Sequence, residues 1–367
     1  MRRALSCRTA GPRTAGVGRE DRRAERPQGR GPDVRGPVVL LALATLVGAC
    51  TPDFEDVWLV KDLRILAIQA DPPEVLVPAG NVAAAPPPVQ VTALVVDPRL
   101  AAGASLRWEL WACTPEEVTC DDASTRTLVR SATSPLDQIQ ASFSATPALI
   151  QAATREDIYR GFGGVPVKVH LKVWGKGETQ PVEGIKRLVY GASDSALLLG
   201  SSPLLEPPPP GALTGACRSQ GSACDAGLAC AGSRCVKVPN QNPSITEIDV
   251  DGDPILPTGL EVRATDTDIE LLPVSPKEDV EPYWVFTFSG GTRKLDEYLY
   301  YSFFVTSGKK LSPANTGGKP SVFATIKRVE DLTSEWTPDA PGTFSLWVVI
   351  RDDRGGTSWV QETLKVR

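Results

Sequence analysis

The sequence predicts a mainly β chain, with two antiparallel β-sandwiches joined by a Pro-rich linker and a small disulfide-rich segment. Three observations carry this. Short apolar–polar alternations recur through residues 61–192 and again through 244–367, at the period of two that puts alternate side chains on one face of a strand. Glycine (32) and proline (33) are abundant, which favours turns over long helices. Four cysteines crowd into CRSQGSACDAGLACAGSRC, between the two β-rich regions.

In the first region, LRILAIQA (63–70) leads into the bend DPPEVLVPAG. VQVTALVVDP (89–98) alternates Val89, Val91, Ala93 and Val95, and SLRWELWAC (105–113) alternates Leu106, Trp108, Leu110 and Ala112. IQASFSA (139–145), VPVKVHLKVWG (165–175) and GIKRLVYG (184–191) follow. Six or seven strands over about 130 residues, with turn clusters between them, are the signature of an antiparallel sandwich. One helix is expected. Thr146 caps it, Pro147 takes its first position, and ALIQAATREDIYR runs to a stop at Gly161.

SSPLLEPPPPG opens a linker over 201–216, where four prolines favour a stiff polyproline II spacer. The Cys-rich segment occupies 217–236, and PNQNP (239–243) is a second short linker. The last region opens with SITEIDVDGDPILPTG. EPYWVFTFSGG, EYLYYSFFVTSG, SVFATIKRV and GTFSLWVVIRDDRGGTSWVQETLKVR follow. Its end is a hairpin: Phe344, Leu346, Val348 and Ile350 share one face, Asp352-Asp353-Arg354-Gly355-Gly356 turns the chain, and TSWVQETLKV returns it.

The two β regions echo each other. IQADPPEVLVPAG (68–80) and IDVDGDPILPTG (248–259) share an Ile, an Asp, a Pro, aliphatics and a terminal Pro-x-Gly at similar spacing, which reads as a repeated first strand and bend. Both regions resemble immunoglobulin-like and PKD-like extracellular modules. WTPDAPGTFSLWVVIRDDRGGTSW is similar to the last two strands of such modules. VTALVVDP with SLRWELWAC is similar to their second and third strands, Trp108 standing where the core tryptophan falls. The resemblance implies two immunoglobulin-like sandwiches and no activity.

Charge narrows the function classes. Residues 1–36 hold ten arginines against Glu20, Asp21, Glu25 and Asp33, a surplus of six positive charges; with −5 for the whole chain, the remainder carries −11. An acidic body excludes a nucleic-acid footprint. The basic head has no aromatics and few apolar residues, and reads as a disordered or wrongly assigned leader. The chain has one histidine, His170, which removes metal sites built on His pairs. Alternation places Val165, Val167, Val169, Leu171 and Val173 on one face, and His170 outward among Lys168 and Lys172. In that setting it reads as a surface strand residue rather than a catalytic base.

The apolar run from Pro37 is too short to cross a bilayer as a helix, which needs about 20 residues. With Arg35 upstream, it suits the apolar centre of a signal peptide over 37–50. It closes on Leu46-Val47-Gly48-Ala49-Cys50, which resembles the lipobox of bacterial lipoproteins. That resemblance implies acylation of Cys50 as the mature first residue, and a lipid anchor of two or three chains. Thr51 in place of Asp implies the outer membrane, on the periplasmic face or the cell surface. The layout is similar to that of myxobacterial lipoproteins. Residues 51–60 read as a short tether.

Apart from Cys7 and Cys50, six cysteines remain: Cys113, Cys120, Cys217, Cys224, Cys230 and Cys235. An even number in an exported chain reads as disulfides. Cys113 and Cys120 flank TPEEVT and could close a small loop. The other four lie in a segment with too few apolar residues for a core, so bridges would have to hold it. A Cys₄ zinc site is the rival, but zinc ribbons use paired C-x2-C spacings that are missing here. The C-x6-C-x2-G-x2-C-x4-C pattern resembles small secreted knots, which implies pairing of first with third and second with fourth.

DVDGD (249–253) invites a calcium reading, but an EF-hand loop would need Gly and Glu where Pro254 and Leu260 stand. An Asp-Gly turn is the plainer reading. Asp266 and Asp268 lie near enough in sequence to leave a weak interdomain calcium site open, and no metal or cofactor is assigned. Of eight tryptophans, Trp108 reads as core. Trp174, Trp347 and Trp359 lie on strands whose polar faces could expose them for stacking on sugars or docking a partner, against a plainer reading as ordinary packing.

Together these observations predict a lipid-anchored envelope protein acting as a non-catalytic binding or structural module. Its partners are the membrane, through Cys50, and a protein or polysaccharide ligand. The alternatives are an envelope hydrolase using paired carboxylates, for which no pattern marks the residues, or a calcium-stabilised adhesion-type surface protein. The leader has its own test. Met1 is the only methionine, so a shorter product would start at Val34 from a valine-type codon. Mass spectrometry of the native protein should find no peptide from residues 1–33, and finding one overturns the Val34 start.

Overall fold

Alternating strands need a second layer to bury their apolar faces, and each half of this protein supplies its own. The computed structural model describes residues 56–78, 80, 86–101, 103–117, 119–200, 206–254, 260–262, 268–318 and 332–367. The leader, the signal segment with Cys50, Asp266 and the expected strand SVFATIKRV lie outside the described residues.

The first half holds β1 (Arg64–Asp71), β2 (Glu74–Val77), β3 (Val89–Val96), β4 (Ser105–Cys113), β5 (Thr127–Pro135), β6 (Gln140–Phe143), α1 (Pro147–Glu156), β7 (Val165–Trp174) and β8 (Pro181–Ala192). One sheet has the order β1-β3-β6 and the facing sheet β2-β8-β7-β4-β5. Neighbours are antiparallel except β2, which runs parallel to β8. This is an immunoglobulin-like order, in which the chain leaves its first strand and crosses to the other sheet beside the last one. The crossing occurs at the bend after β1, where the Asp71–Pro72 peptide is cis. Trp108 on β4 fills the centre with Leu110, Leu171 and Tyr190, and its indole N–H donates to Ser134 Oγ at 2.8 Å.

A hairpin of β9 (Leu228–Ala231) and β10 (Arg234–Lys237) follows. The second half holds β11 (Glu247–Val250), β12 (Asp253–Pro254), β13 (Leu260–Val262), β14 (Ile269–Val274), β15 (Pro282–Phe286), β16 (Thr292–Asp296), β17 (Leu299–Val305), β18 (Lys310–Ser312), β19 (Asn315–Gly317), β20 (Ser334–Thr337), β21 (Gly342–Asp352) and β22 (Thr357–Val366). Its sheets are β12-β11-β14-β20-β18 and β13-β22-β21-β17-β19, and β15 pairs with β16 as a separate ribbon. Again the strand after the first bend, β13, runs parallel to the last, β22. The repeated Pro-containing bend therefore marks the same event twice, a first strand changing sheets. Leu346, Val348 and Ile350 of β21 point into this core with Trp336 of β20.

Several expectations are corrected. Among the described residues the first half has eight strands: the expected bend DPPEVLVPAG itself carries β2, and β5, polar and lying at the sheet edge, has too weak an apolar pattern to read. The helix ends at Glu156 rather than running to Arg160. Asp157 leaves helical geometry, and its carboxylate accepts the Gly161 N–H at 2.6 Å, which turns the chain early. Thr146 does cap it, accepting from the Leu149 N–H at 3.2 Å. No described helix is long and apolar enough to cross a membrane. Residues 58–60 are no tether: Trp58 is buried in the second core and Val60 between the halves. The described end of the linker is no free spacer either, since Leu213 is buried against Ala196 and Phe286.

The halves share an apolar seam. Leu66 and Ala67 of β1 and Leu94 and Val96 of β3 pack against Trp347 and Val349 of β21, with Phe304 and Trp359 at its margin. Residues 55–367 accordingly form one compact unit. Truncating a fully buried anchor tests the second core. Trp336→Ala should cost about 3–5 kcal/mol in urea unfolding monitored by circular dichroism, and a loss well under 1 kcal/mol would contradict the packing described.

Candidate functional site

Most of the residues singled out in the sequence fall in separate places, but Trp347 and Trp359 come together. His170 is fully buried, not an outward residue. It does stand on the face of β7 away from the core, but the loop closed by Cys113–Cys120 folds over it. Its Nδ1 lies 2.9 Å from the Thr119 carbonyl and its Nε2 lies 3.1 Å from Glu183 Oε2. With both nitrogens engaged, it pins that loop to the sheet. The other bridges join Cys217 to Cys230 and Cys224 to Cys235.

The DVDGD segment is a tight hairpin in which Val250 pairs with Asp253 across Asp251 and Gly252, both at positive φ. Asp268 is occupied: Lys310 Nζ donates to it at 2.8 Å and Thr337 Oγ1 donates to its other oxygen. These contacts hold the Asp268 carboxyl below its ordinary value. Trp174 lies under the Arg107 guanidinium, 4.3 Å from its ring centroid. Trp347, expected to be exposed in one reading, is buried in the seam, because its outward face on β21 is the one the first half covers.

Two features depend on residues that no motif marked. One is a polar node where the halves, the second linker and the β15–β16 ribbon meet. Arg354, in the β21–β22 turn, donates to Glu74 of β2 and, at 3.0 Å, to Glu297 beyond β16, with Glu281 at 3.7 Å. The Tyr283 ring lies 4.9 Å from its guanidinium carbon. Asp352 accepts the Arg354 and Gly356 backbone N–H groups at 2.8 and 2.7 Å and the Asn240 amide at 3.1 Å. Nearby, Lys186 of β8 donates to the Gly355 carbonyl and, at 2.8 Å, to Thr357 Oγ1. Burial and the neighbouring Asp352 carboxylate push Glu297 up to about 8, against the pull of Arg354. Burial brings Lys186 down to about 8.

The other feature is a groove of about 790 Å³ that continues the seam where the halves part. The first half lines it with Thr92, Leu94, Val96, Leu100 and Leu136. The second supplies Thr306, Thr343, Ser345, Trp347, Trp359 and Gln361. Ser345 N–H donates to Thr306 Oγ1 at 3.1 Å, which fixes that wall. Asp97, also lining it, is held by two hydrogen bonds from Arg99 at 2.8 and 2.7 Å, which keep its carboxyl below the ordinary value. The indole N–H of Trp347 is buried without a partner. Clefts of this size between domains are common ligand sites.

No protein-family model and no curated protein matches this chain. Distant structural neighbours include a red sea bream transglutaminase, 10% identical, with a TM-score of 0.22 over 84% of this chain; the chain spans 32% of that protein's length. They also include fibronectin(III)-like modules of Clostridium thermocellum CbhA, 9% identical at a TM-score of 0.18, covering 82% of this chain and 93% of that one. Murine CEACAM1b is 10% identical at 0.17, covering 83% and 100%. At these TM-scores it is the strand order, not the likeness, that makes the halves immunoglobulin-like.

Of the groove the sequence marked only Trp347 and Trp359, because the walls come from strands far apart in the chain. Arg354 had only a turn signal, since its partners Glu74 and Glu297 belong to other elements.

The node gives stability a defined pH dependence. Glu297 is raised from 4.5 to about 8 in the folded protein, so its contribution is full below pH 4.5 and is lost as pH rises to 8. Lys186 is lowered from 10.5 to about 8, so its contribution is full above pH 10.5 and is lost as pH falls to 8. Stability from this pair is therefore lowest near pH 8. Thermal unfolding from pH 5 to 10 should show that Glu297→Gln flattens the acidic limb and Lys186→Met the basic one; unchanged limbs would rule the node out as their source.

Proposed function

We propose that this chain is a lipid-anchored lipoprotein of the cell envelope, of the myxobacterial type, and that it works as a non-catalytic binding module. The groove is the observation that carries the binding reading. It lies between two sandwiches and combines apolar walls with hydroxyl and amide groups. A protein or polysaccharide ligand fits such a site, and the chain's acidic balance disfavours nucleic acid.

The hydrolase alternative would look for carboxylates with raised pKa facing a cleft. Among the described residues the raised carboxyls, Glu281, Glu297, Asp352 and Glu362, do not line the groove, and the first three contact Arg354, Asn240 and backbone amides. The adhesion-type calcium alternative rests on DVDGD with Asp266 and Asp268; Asp268 is already paired with Lys310, and Asp266 lies outside the described residues.

The lipobox-like run ending at Cys50 supports the anchor, and the oxidising compartment it implies agrees with three disulfides. Thr51 supports the outer membrane. Metabolic labelling with radioactive palmitate and fractionation of the envelope test this. The native protein should carry label and sediment with the outer membrane. Cys50→Ser should lose the label and the membrane association, and a variant that stays labelled overturns the anchor.

A further inference from the structure

We propose that the groove between the sandwiches binds a neutral saccharide chain. The proposal rests on the binding reading above and gives it a ligand class.

Charge is the first argument. Among the described residues no Lys, Arg or His lines the groove, and the acidic residues that do are Asp97 and Asp137. Asp97 is already paired with Arg99, and Asp137 is exposed. An anionic polymer would enter a cleft with no counter-charge and would meet these carboxylates, so phosphorylated or acidic chains are disfavoured.

The walls are the second argument. An extended peptide gains affinity by pairing its backbone with a free strand edge. Where Ser345 and Trp347 line the groove no edge is free, because β21 is hydrogen-bonded on one side to β22 and on the other to β17 and Thr306. Recognition along that wall is left to side chains. Thr306, Thr343, Ser345 and Gln361 offer hydroxyls and an amide that both donate and accept, which matches the paired hydroxyls of a sugar.

The aromatic pair is the third argument. Trp359 is half-buried and lines the groove, and an indole is a surface on which the apolar C–H face of a pyranose can pack. Trp347 beside it is 4% exposed and backs that surface.

The test uses the full-length acylated protein in a sugar-free detergent, titrated with cellohexaose, maltohexaose, xylohexaose and chitohexaose by calorimetry and tryptophan fluorescence. At least one hexaose should bind and change the emission. Gln361→Ala and Thr343→Ala, both at exposed positions, should each weaken binding by about tenfold with unfolding midpoints unchanged. Trp359→Ala should remove most of the binding, and Trp359→Phe should restore part of it. Binding that none of these variants weakens overturns the site, and a folded wild type that binds no hexaose overturns the ligand class. A photo-crosslinking amino acid in place of Gln361, activated in intact cells, separates the two levels. An adduct with a glycan supports the proposal. An adduct with a polypeptide overturns the saccharide while keeping the groove as a binding site. No adduct and no hexaose binding overturn both.

Discussion

The arrangement of this protein depends on a guanidinium held between carboxylates from different parts of the fold. Arg354 reaches Glu74 of the first sandwich and Glu297 of the second from a hairpin turn. Removing Glu74 leaves the buried guanidinium charge uncompensated, at a cost of about 3–5 kcal/mol. The node therefore penalises any relative movement of the halves. The apolar seam beside it, with Trp347 and Val349 against Leu66 and Leu94, is less selective about angle but resists separation. Together they make one unit of two sandwiches that a Pro-rich connection would otherwise leave independent.

The node also accounts for the disulfide-rich segment. The knot is placed between the halves rather than carried as a separate bead. Trp284 of the ribbon donates its indole N–H to Ala226 in the knot at 3.0 Å, and Lys237 at the knot's end lies 5.0 Å from the Phe286 ring centroid. The knot thus buttresses the β15–β16 ribbon, which is followed directly by Glu297. Two bridges suit such a segment, because few apolar residues are available to fold it. A fixed angle between the halves is in turn what gives the groove a stable shape.

Much of the fold was legible in the sequence, because strands report themselves through alternation. Val165, Val167, Val169, Leu171 and Val173 declared a buried face, and Leu346, Val348 and Ile350 declared another. Trp108 declared the first core. Two of the failures share one cause: burial of the other face. His170 and Trp347 both stand on the sides of their sheets away from the core, where alternation promises solvent. A disulfide-closed loop covers the first, and a second sandwich covers the other. β5 was missed because an edge strand needs little apolar surface, and the helix end was misread because a local Asp157 turn outcompeted another helical turn.

Local periodicity by itself determined the strands, the two cores and the hairpin turns, since each depends on neighbours close in the chain. The tertiary structure alone decided what lies between those cores. Glu74 and Arg354 are 280 residues apart in sequence, and Leu66 and Arg351 are 285 apart. No pattern in one strand encodes which distant strand will cover its outer face. That pairing follows from how two finished sandwiches pack together. The seam, the node and the groove are its products.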